Sequence, residues 1–295
     1  MLNDDVSPRV GALGLGAMGR PMAAHLLARH GSLAITGRMR RYDDLESAGA
    51  TWCETAREVA AASDVVLAML PDLPELEAVL AGPDGLLAGA DHDLLLLIGS
   101  TSSATGVREL AARLDRETDG RVRVVDCPVS GGEDGATAGT LAIMMGGSED
   151  DAALAARVLE PCGTPVRLGP LGAGEVAKAC SQLVVASTAM ALAEATVLAA
   201  RSGIDPAGMW DLLGGGYAGS NLLASRREKL VAEDYAPSGM AKYMLKDLRF
   251  ATDVAEATGT HAALLPAVRA AFDELVERGL GEADMIVTRK FIEER

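Results

Sequence analysis

Apolar residues in the first half of the chain fall in short dense runs, separated by stretches of helical period. The runs Arg9–Leu13, Leu33–Thr36, Asp64–Leu70, Leu94–Ile98, Arg121–Asp126, Thr140–Met145 and Val166–Leu168 predict strands. Helical patterns lie between most of them, among them Met18–His30 and Ala104–Thr118. Two of the runs, V-V-L-A-M-L and L-L-L-L-I, are apolar at nearly every position. Strands of that kind are covered on both faces, as in a parallel sheet between two layers of helices. The pattern changes after Leu168. Gly169-Pro170-Leu171-Gly172-Ala173-Gly174 reads as a hinge, and only helical periods follow to Arg295. The expected organisation is an α/β domain over residues 1–169 and an all-α domain over 170–295, the second beginning with a long interdomain helix.

Composition narrows the partners. The chain has 295 residues, with 27 Lys and Arg against 42 Asp and Glu, a formal charge of −15. Phosphate backbones are bound by clustered positive charge, so nucleic acid is not an expected partner. Aromatic residues are 3% of the chain, which also removes base-stacking platforms. An anionic membrane surface is excluded on the same charge argument. The most lipid-like stretch, Leu183–Ala200, is interrupted by Ser187, Thr188, Glu194 and Thr196 and reads as a buried helix of a soluble protein. Cys53, Cys127, Cys162 and Cys180 form no C-x-x-C pair and read as isolated buried thiols in a reducing cytoplasm. His25, His30, His92 and His261 have no metal-ligand spacing. The segment Met1–Pro8 is polar and acidic and has no signal-peptide pattern, so a cytoplasmic location is expected.

Candidate chemistry begins where the first strand meets Gly14-Leu15-Gly16-Ala17-Met18-Gly19 and then a helix. This is G-x-G-x-x-G in a strand–turn–helix setting. Gly14 permits the tight turn, Gly16 lets the backbone approach a pyrophosphate, and Gly19 lets helix and strand pack closely. The positive end of the helix favours the phosphate charge. A plain glycine-rich turn is the alternative, disfavoured by the several βα units that follow. The second strand ends in Ile35-Thr36-Gly37-Arg38-Met39-Arg40-Arg41. An acidic residue at its end would hold the ribose 2′-hydroxyl of NAD, but Gly37 stands there, followed by three arginines. A guanidinium pairs with a 2′-phosphate, so NADP is favoured, NAD remaining possible, with Arg38 first among the three. Asp43 and Asp44 read as the start of the next helix.

Lys178 and Glu194 are the only charges in the helical stretch Val176–Ala200, which is apolar nearly all round. Such a helix is expected to be buried on most sides. Burial would lower the lysine pKa and suit it to general acid–base work. Ser181 and Gln182 share its face. The competing reading is a surface pair between Glu175 and Lys178, and the residues alone leave both open. Asp126-Cys127-Pro128-Val129-Ser130-Gly131-Gly132 follows a strand. The N–H groups of Ser130, Gly131 and Gly132, with the Ser130 hydroxyl, could cradle a carboxylate. In isolation an ordinary turn is the better reading of this segment. Gly214–Ser220 could be a flexible interhelical loop, and Lys246-Asp247 a solvated helical pair.

Taken together and in order, these segments resemble the β-hydroxyacid dehydrogenase family, which includes 3-hydroxyisobutyrate dehydrogenases and tartronate semialdehyde reductases. The resemblance covers essentially the whole chain. It is carried by G-L-G-A-M-G-R-P-M at Gly14–Met22, D-C-P-V-S-G-G-E-D-G-A-T-A-G-T at Asp126–Thr140 and G-P-L-G-A-G-E-V-A-K at Gly169–Lys178. The resemblance implies that Lys178 is the catalytic acid/base and that Ser130, Gly131 and Gly132 hold the substrate carboxylate, with Gln182 orienting the substrate. It implies that Leu70 and Pro71 lie along the cofactor, with Thr101 beside it and Lys246 near its nicotinamide half. The family often has Asn four residues after the lysine. Gln182 there, with G-G-Y-A-G-S at Gly215–Ser220, resembles the tartronate semialdehyde reductase branch. Ile98 and Ala104 depart from the family's usual Asp and Pro around the Ser-Thr pair.

The expectation is an α/β fold, an N-terminal Rossmann-type doubly wound sheet followed by an all-α domain for substrate binding and oligomerisation. The expected activity is hydride transfer between NADP(H) and a small 3-hydroxy acid or its semialdehyde, most like 2-hydroxy-3-oxopropionate reductase. Alternatives are a 3-hydroxyisobutyrate dehydrogenase or an imine reductase on the same scaffold. Imine-reducing relatives typically carry another residue at the lysine position. The resemblance implies a homodimer or homotetramer and a small carboxylate substrate.

Overall fold

The computed structural model describes residues 7–40 and 42–295, so residues 1–6 of the acidic N-terminal segment and Arg41 of the basic run lie outside the described residues. The chain divides into two compact units, Met1–Lys178 and Ala179–Arg295.

The first unit alternates β1 (Val10–Leu13), α1 (Gly19–His30), β2 (Leu33–Thr36), α2 (Asp43–Ser47), β3 (Ala50–Trp52), α3 (Ala56–Ala61), β4 (Val65–Ala68), α4 (Leu73–Leu80), β5 (Leu94–Ile98), α5 (Ala104–Thr118) and β6 (Val122–Asp126). It continues with β7 (Val129–Ser130), α6 (Gly132–Ala138), β8 (Leu141–Gly146), α7 (Glu149–Leu159) and β9 (Gly163–Gly169). The strands form one sheet in the order β3-β2-β1-β4-β5-β6-β8-β7, with β9 paired to β8. The first six strands are parallel in the doubly wound order 3-2-1-4-5-6. The sheet is not wholly parallel, because β8 runs antiparallel to β6 and β7. Short β3 and β7 were not expected from the sequence. Three and two residues long, they are held by sheet pairing rather than by an apolar run of their own. β9 also begins before the expected Val166, at Gly163, where its pairing with β8 starts.

β5 explains why its sequence lacks alternation. Leu95 and Leu97 enter the core on one face of the sheet, while Leu94, Leu96 and Ile98 enter the core on the other. Burying each such side chain contributes about 1.5–3 kcal/mol relative to leaving it exposed. The strand order reverses between β1 and β4, and such a switch point opens the crevice at the carboxyl ends of the strands. The glycine turn leaves β1 at that edge.

The second unit has no strand among its described residues, beyond one isolated bridge between Met240 and Asp284. Its helices are α9 (Pro206–Leu213), α10 (Asn221–Ala232), α11 (Ala241–Thr258), α12 (Leu265–Glu277) and α13 (Thr288–Glu293), preceded by α8 (Ala173–Arg201), within which the unit boundary falls. Ala186 and Met190 of α8 join Leu248, Phe272 and Phe291 in one core. Burial on most sides is corrected here. By length and apolarity α8 could cross a bilayer, yet 44% of its most apolar window is buried, and Cys180, Val184, Ala191, Glu194 and Leu198 form an exposed stripe. These positions recur at about one or two helical turns, so one face packs and the opposite face is left open. Cys180 is therefore not a buried thiol, unlike Cys53, Cys127 and Cys162.

Candidate active site

The three glycines of the turn occupy three different environments. Gly14 has φ +83°, and a Cβ there would lie 2.3 Å from the Met69 carbonyl oxygen. Gly19, the first residue of α1, would place a Cβ 1.9 Å from the Gly14 carbonyl oxygen. A Cβ on Gly16 would meet nothing within 4 Å. Turn and helix thus close tightly on the inside, while Gly16 and Ala17 present bare, exposed backbone on the outside. Leu15 is buried and Met18 partly buried. A cavity of about 680 Å³ adjoins this loop, with Gly16, Arg20, Tyr42, Asp44 and Glu133 in its walls.

Past β2 the two described arginines differ. Arg40 pairs with Glu46 at 2.5 Å and lies 5.9 Å from the centre of the Trp52 ring. Trp52 in turn stacks on Tyr42. Arg38 is exposed and makes no ion pair with any described residue, so its guanidinium remains available to an anion. A Cβ on Gly37 would sit 3.3 Å from the Tyr42 ring, so the position of the missing acidic residue is closely walled.

The loops after β4 and β5 are joined. Leu70 N–H donates to the Ser100 hydroxyl oxygen at 3.0 Å, which places half-buried Leu70 and exposed Pro71 next to the Ser100–Ser102 segment containing Thr101. After β6, the chain forms β7 at Ser130 and turns through Gly131 (φ +138°) and Gly132 (φ +62°) into α6. Both glycines are exposed at this helix start. Glu133 and Asp134 already place negative charge in the first turn of α6, where the helix end favours it. A carboxylate ligand would therefore depend on the Ser130 hydroxyl and the turn N–H groups.

Lys178 and Glu175 are both buried, at 7% and 2% exposure, which removes the surface-pair reading. The Glu175 carboxylate accepts from Ser102 N–H at 2.9 Å. Asp126, the last residue of β6, is fully buried and accepts from Gly172 N–H at 2.7 Å and Glu175 N–H at 2.8 Å. Burial pushes its carboxyl above the ordinary range, and the backbone donors oppose that shift. Gln182, one helical turn beyond Lys178, donates its side-chain amide to the Asp247 carboxylate at 2.6 Å. Asp247 is buried, so the solvated-pair reading of Lys246-Asp247 is corrected: Asp247 turns inward on α11, while Lys246 lies 5.5 Å from the centre of the Phe250 ring.

Residues 9–172 match the model of the NAD binding domain of 6-phosphogluconate dehydrogenase, and residues 172–291 the NAD-binding model of NADP-dependent 3-hydroxyisobutyrate dehydrogenase. The chain is 34% identical over 256 residues to a probable 3-hydroxyisobutyrate dehydrogenase-like 3, mitochondrial, of Arabidopsis thaliana, covering 86% of this chain and 79% of that one. The chain belongs to the β-hydroxyacid dehydrogenase family. It is also 35% identical to the 2-hydroxy-3-oxopropionate reductase of Escherichia coli, over 84% of this chain and 85% of that one. A solved structure of Mycobacterium tuberculosis 3-hydroxyisobutyrate dehydrogenase with L-serine superposes with a TM-score of 0.83 at 29% identity, covering 97% of this chain and 99% of that one. As a β-hydroxyacid dehydrogenase the chain is an NAD(P)-dependent oxidoreductase. The glycine turn fits a dinucleotide: the one glycine with open space in front of it is the one where a pyrophosphate would need to approach.

Asp126, Glu175 and Asp247 were not among the candidate residues from the sequence. Asp126 carried a faint signal, a charged residue closing an otherwise apolar strand. For Glu175 and Asp247 the burial comes from packing that no local pattern shows.

Proposed function

We propose that this β-hydroxyacid dehydrogenase interconverts a small 3-hydroxy acid and its semialdehyde with NADP(H), tartronate semialdehyde being the first candidate substrate and a cytoplasmic location the expected one. The observation that carries the reading is Lys178, a lysine held almost out of solvent with Gln182 one helical turn away. Lysine is seldom buried without a task, and a lysine amine can donate or take a proton in general acid–base catalysis.

Bound NADP would supply the hydride acceptor or donor. Gly14, Leu15, Gly16, Ala17, Met18 and Gly19 would hold its pyrophosphate, and Arg38 the 2′-phosphate. Leu70, Pro71, Thr101 and Lys246 would line the remainder. Ser130, Gly131 and Gly132 would bind the substrate carboxylate by a hydroxyl and backbone N–H groups. In oxidation the neutral Lys178 amine takes the proton of the substrate hydroxyl. In reduction the protonated amine returns it to the forming alkoxide. Gln182, whose side-chain amide donates to Asp247, would orient the substrate beside the lysine.

Tartronate semialdehyde ranks first because Gln182 stands at the family's frequent Asn position and a reductase of that substrate is among the relatives. The domain roles follow the same reading: residues 1–169 for the cofactor, and 170–295 for substrate and assembly as a homodimer or homotetramer. The test is turnover on a panel of small semialdehydes and 3-hydroxy acids, including tartronate semialdehyde, 3-hydroxyisobutyrate and L-serine, each with NADP(H) and NAD(H). The expected result is the highest kcat/KM with tartronate semialdehyde and NADPH, with Arg38→Ala eroding the preference for NADPH. A preference for NADH in the wild type would overturn the role of Arg38, and turnover of imines alone would overturn the substrate class.

A further inference from the structure

α8 is held at its start differently from α5, α7 and α10, whereas α1, α11 and α12 have no side-chain cap at all. α5, α7 and α10 are capped locally: Ser103, Ser148 and Ser220 each accept a backbone N–H from their own first turn. The N–H groups at the start of α8 are satisfied instead by Asp126, which is 46 residues from Gly172 and 49 from Glu175. Glycines leave room for that carboxylate. A Cβ on Gly146 would lie 2.4 Å from Asp126 Oδ1, and one on Gly174 would lie 2.8 Å from Oδ2. Glu175 is itself in the first turn, where a carboxylate ordinarily serves its own helix end. Its Oε2 instead accepts from Ser102 N–H, 73 residues away, beside Thr101. Leu70 N–H and the Ser100 hydroxyl extend the same set to the loop after β4. The ends of β4, β5 and β6 are thus tied to each other and to the first turn of α8, and Lys178 follows Glu175 by three residues.

We propose that Asp126 and Glu175 are positioning residues for proton transfer: as buried struts they fix the first turn of α8, and with it Lys178, against the loop that carries Thr101. A local cap would satisfy the helix end equally well but would leave the helix free to shift along the sheet edge. Two carboxylates bonded in opposite directions, one from sheet to helix and one from helix to loop, remove that freedom. The inference rests on the reading of Lys178 as the proton-transfer group. Displacements of about 1 Å at such a group cost on the order of 100-fold in rate.

The test compares Glu175→Gln, Glu175→Leu, Asp126→Asn and Lys178→Ala in the full chain. The measurements are kcat and substrate KM per folded enzyme, NADPH affinity by fluorescence, thermal midpoint, and amide hydrogen exchange at Ser102. Glu175→Leu removes the acceptor while keeping bulk. It is expected to speed exchange at Ser102 and lower kcat on the order of 10- to 100-fold, with NADPH affinity and substrate KM changed by no more than about threefold. Glu175→Gln keeps a carbonyl oxygen for Ser102 N–H and is expected to recover most of kcat. If Glu175→Leu does not fold, Asp126→Asn carries the test, because it turns one acceptor into a donor facing a backbone N–H. It too is expected to lower kcat more than it changes KM. Unchanged kcat per folded enzyme in the acceptor-removing variant that folds, or equal losses in Glu175→Gln and Glu175→Leu, would overturn the proposal. Near-normal turnover by Lys178→Ala would instead overturn the reading of the lysine. An inactive Lys178→Ala beside a fully active Glu175→Leu would overturn the strut proposal alone.

Discussion

Gly16 and Gly19 show how far a single residue type can differ in its reason for being there. Both belong to one motif, yet Gly19 is closed in by the Gly14 carbonyl oxygen and Gly16 faces open space. Gly19→Ala is therefore expected to lower stability by about 1–3 kcal/mol through overpacking. Gly16→Ala is expected to leave stability within about 0.5 kcal/mol, as at an ordinary surface site. It should weaken NADPH binding about tenfold, equivalent to roughly 1.4 kcal/mol. Thermal unfolding and a fluorescence titration on both variants check this, and equal effects of the two on binding and stability would count against the cradle. At this scale the glycine turn was readable because its chemistry is local: strand, turn and helix start lie within a dozen residues. Asp126 and Glu175 were not readable, since their partners are 46 to 73 positions away. Lys178 was ambiguous for the same reason. The sequence offered it an acidic neighbour at three residues' spacing, and only the folded chain places both residues out of solvent.

Elements were legible in proportion to how much of their stability they carry themselves. β5 announced itself because five consecutive buried side chains leave nothing polar to interrupt the run. α5 was read to its limits because Ser103 caps it and its buried positions recur at helical spacing. β3 and β7 escaped notice because the neighbouring strand makes them. α8 was recognised but misjudged, since alanine-rich sequence reads as apolar on every side while the helix buries one face and exposes Cys180, Val184, Ala191, Glu194 and Leu198, a mostly apolar stripe. That stripe suits contact with another copy of the chain, since exposed apolar surface of this kind marks interaction sites. Sedimentation velocity is expected to show a dimer or larger species, with Val184→Asp combined with Leu198→Asp shifting it toward the monomer. A wild type that sediments as a monomer at micromolar concentration would refute the assembly.

For the whole molecule, the charge of −15 argues against polyanions as partners but does not describe the site. The proposed ligands are themselves anions, and the groups offered to them are local: exposed Arg38, bare backbone at Gly16, and N–H groups around Gly131 and Gly132. Their field acts over a few ångströms, within the roughly 8 Å over which salt screens exposed charges. Membership in the β-hydroxyacid dehydrogenase family fixes the cofactor class and the kind of reaction, and the buried lysine on α8 is the residue on which the proposed chemistry turns. The most direct measurement is steady-state turnover of Lys178→Ala beside an NADPH titration of the same preparation. General acid–base catalysis by that lysine predicts a loss of kcat of about 10²- to 10⁴-fold with cofactor affinity nearly unchanged. Turnover close to the wild type would contradict the account.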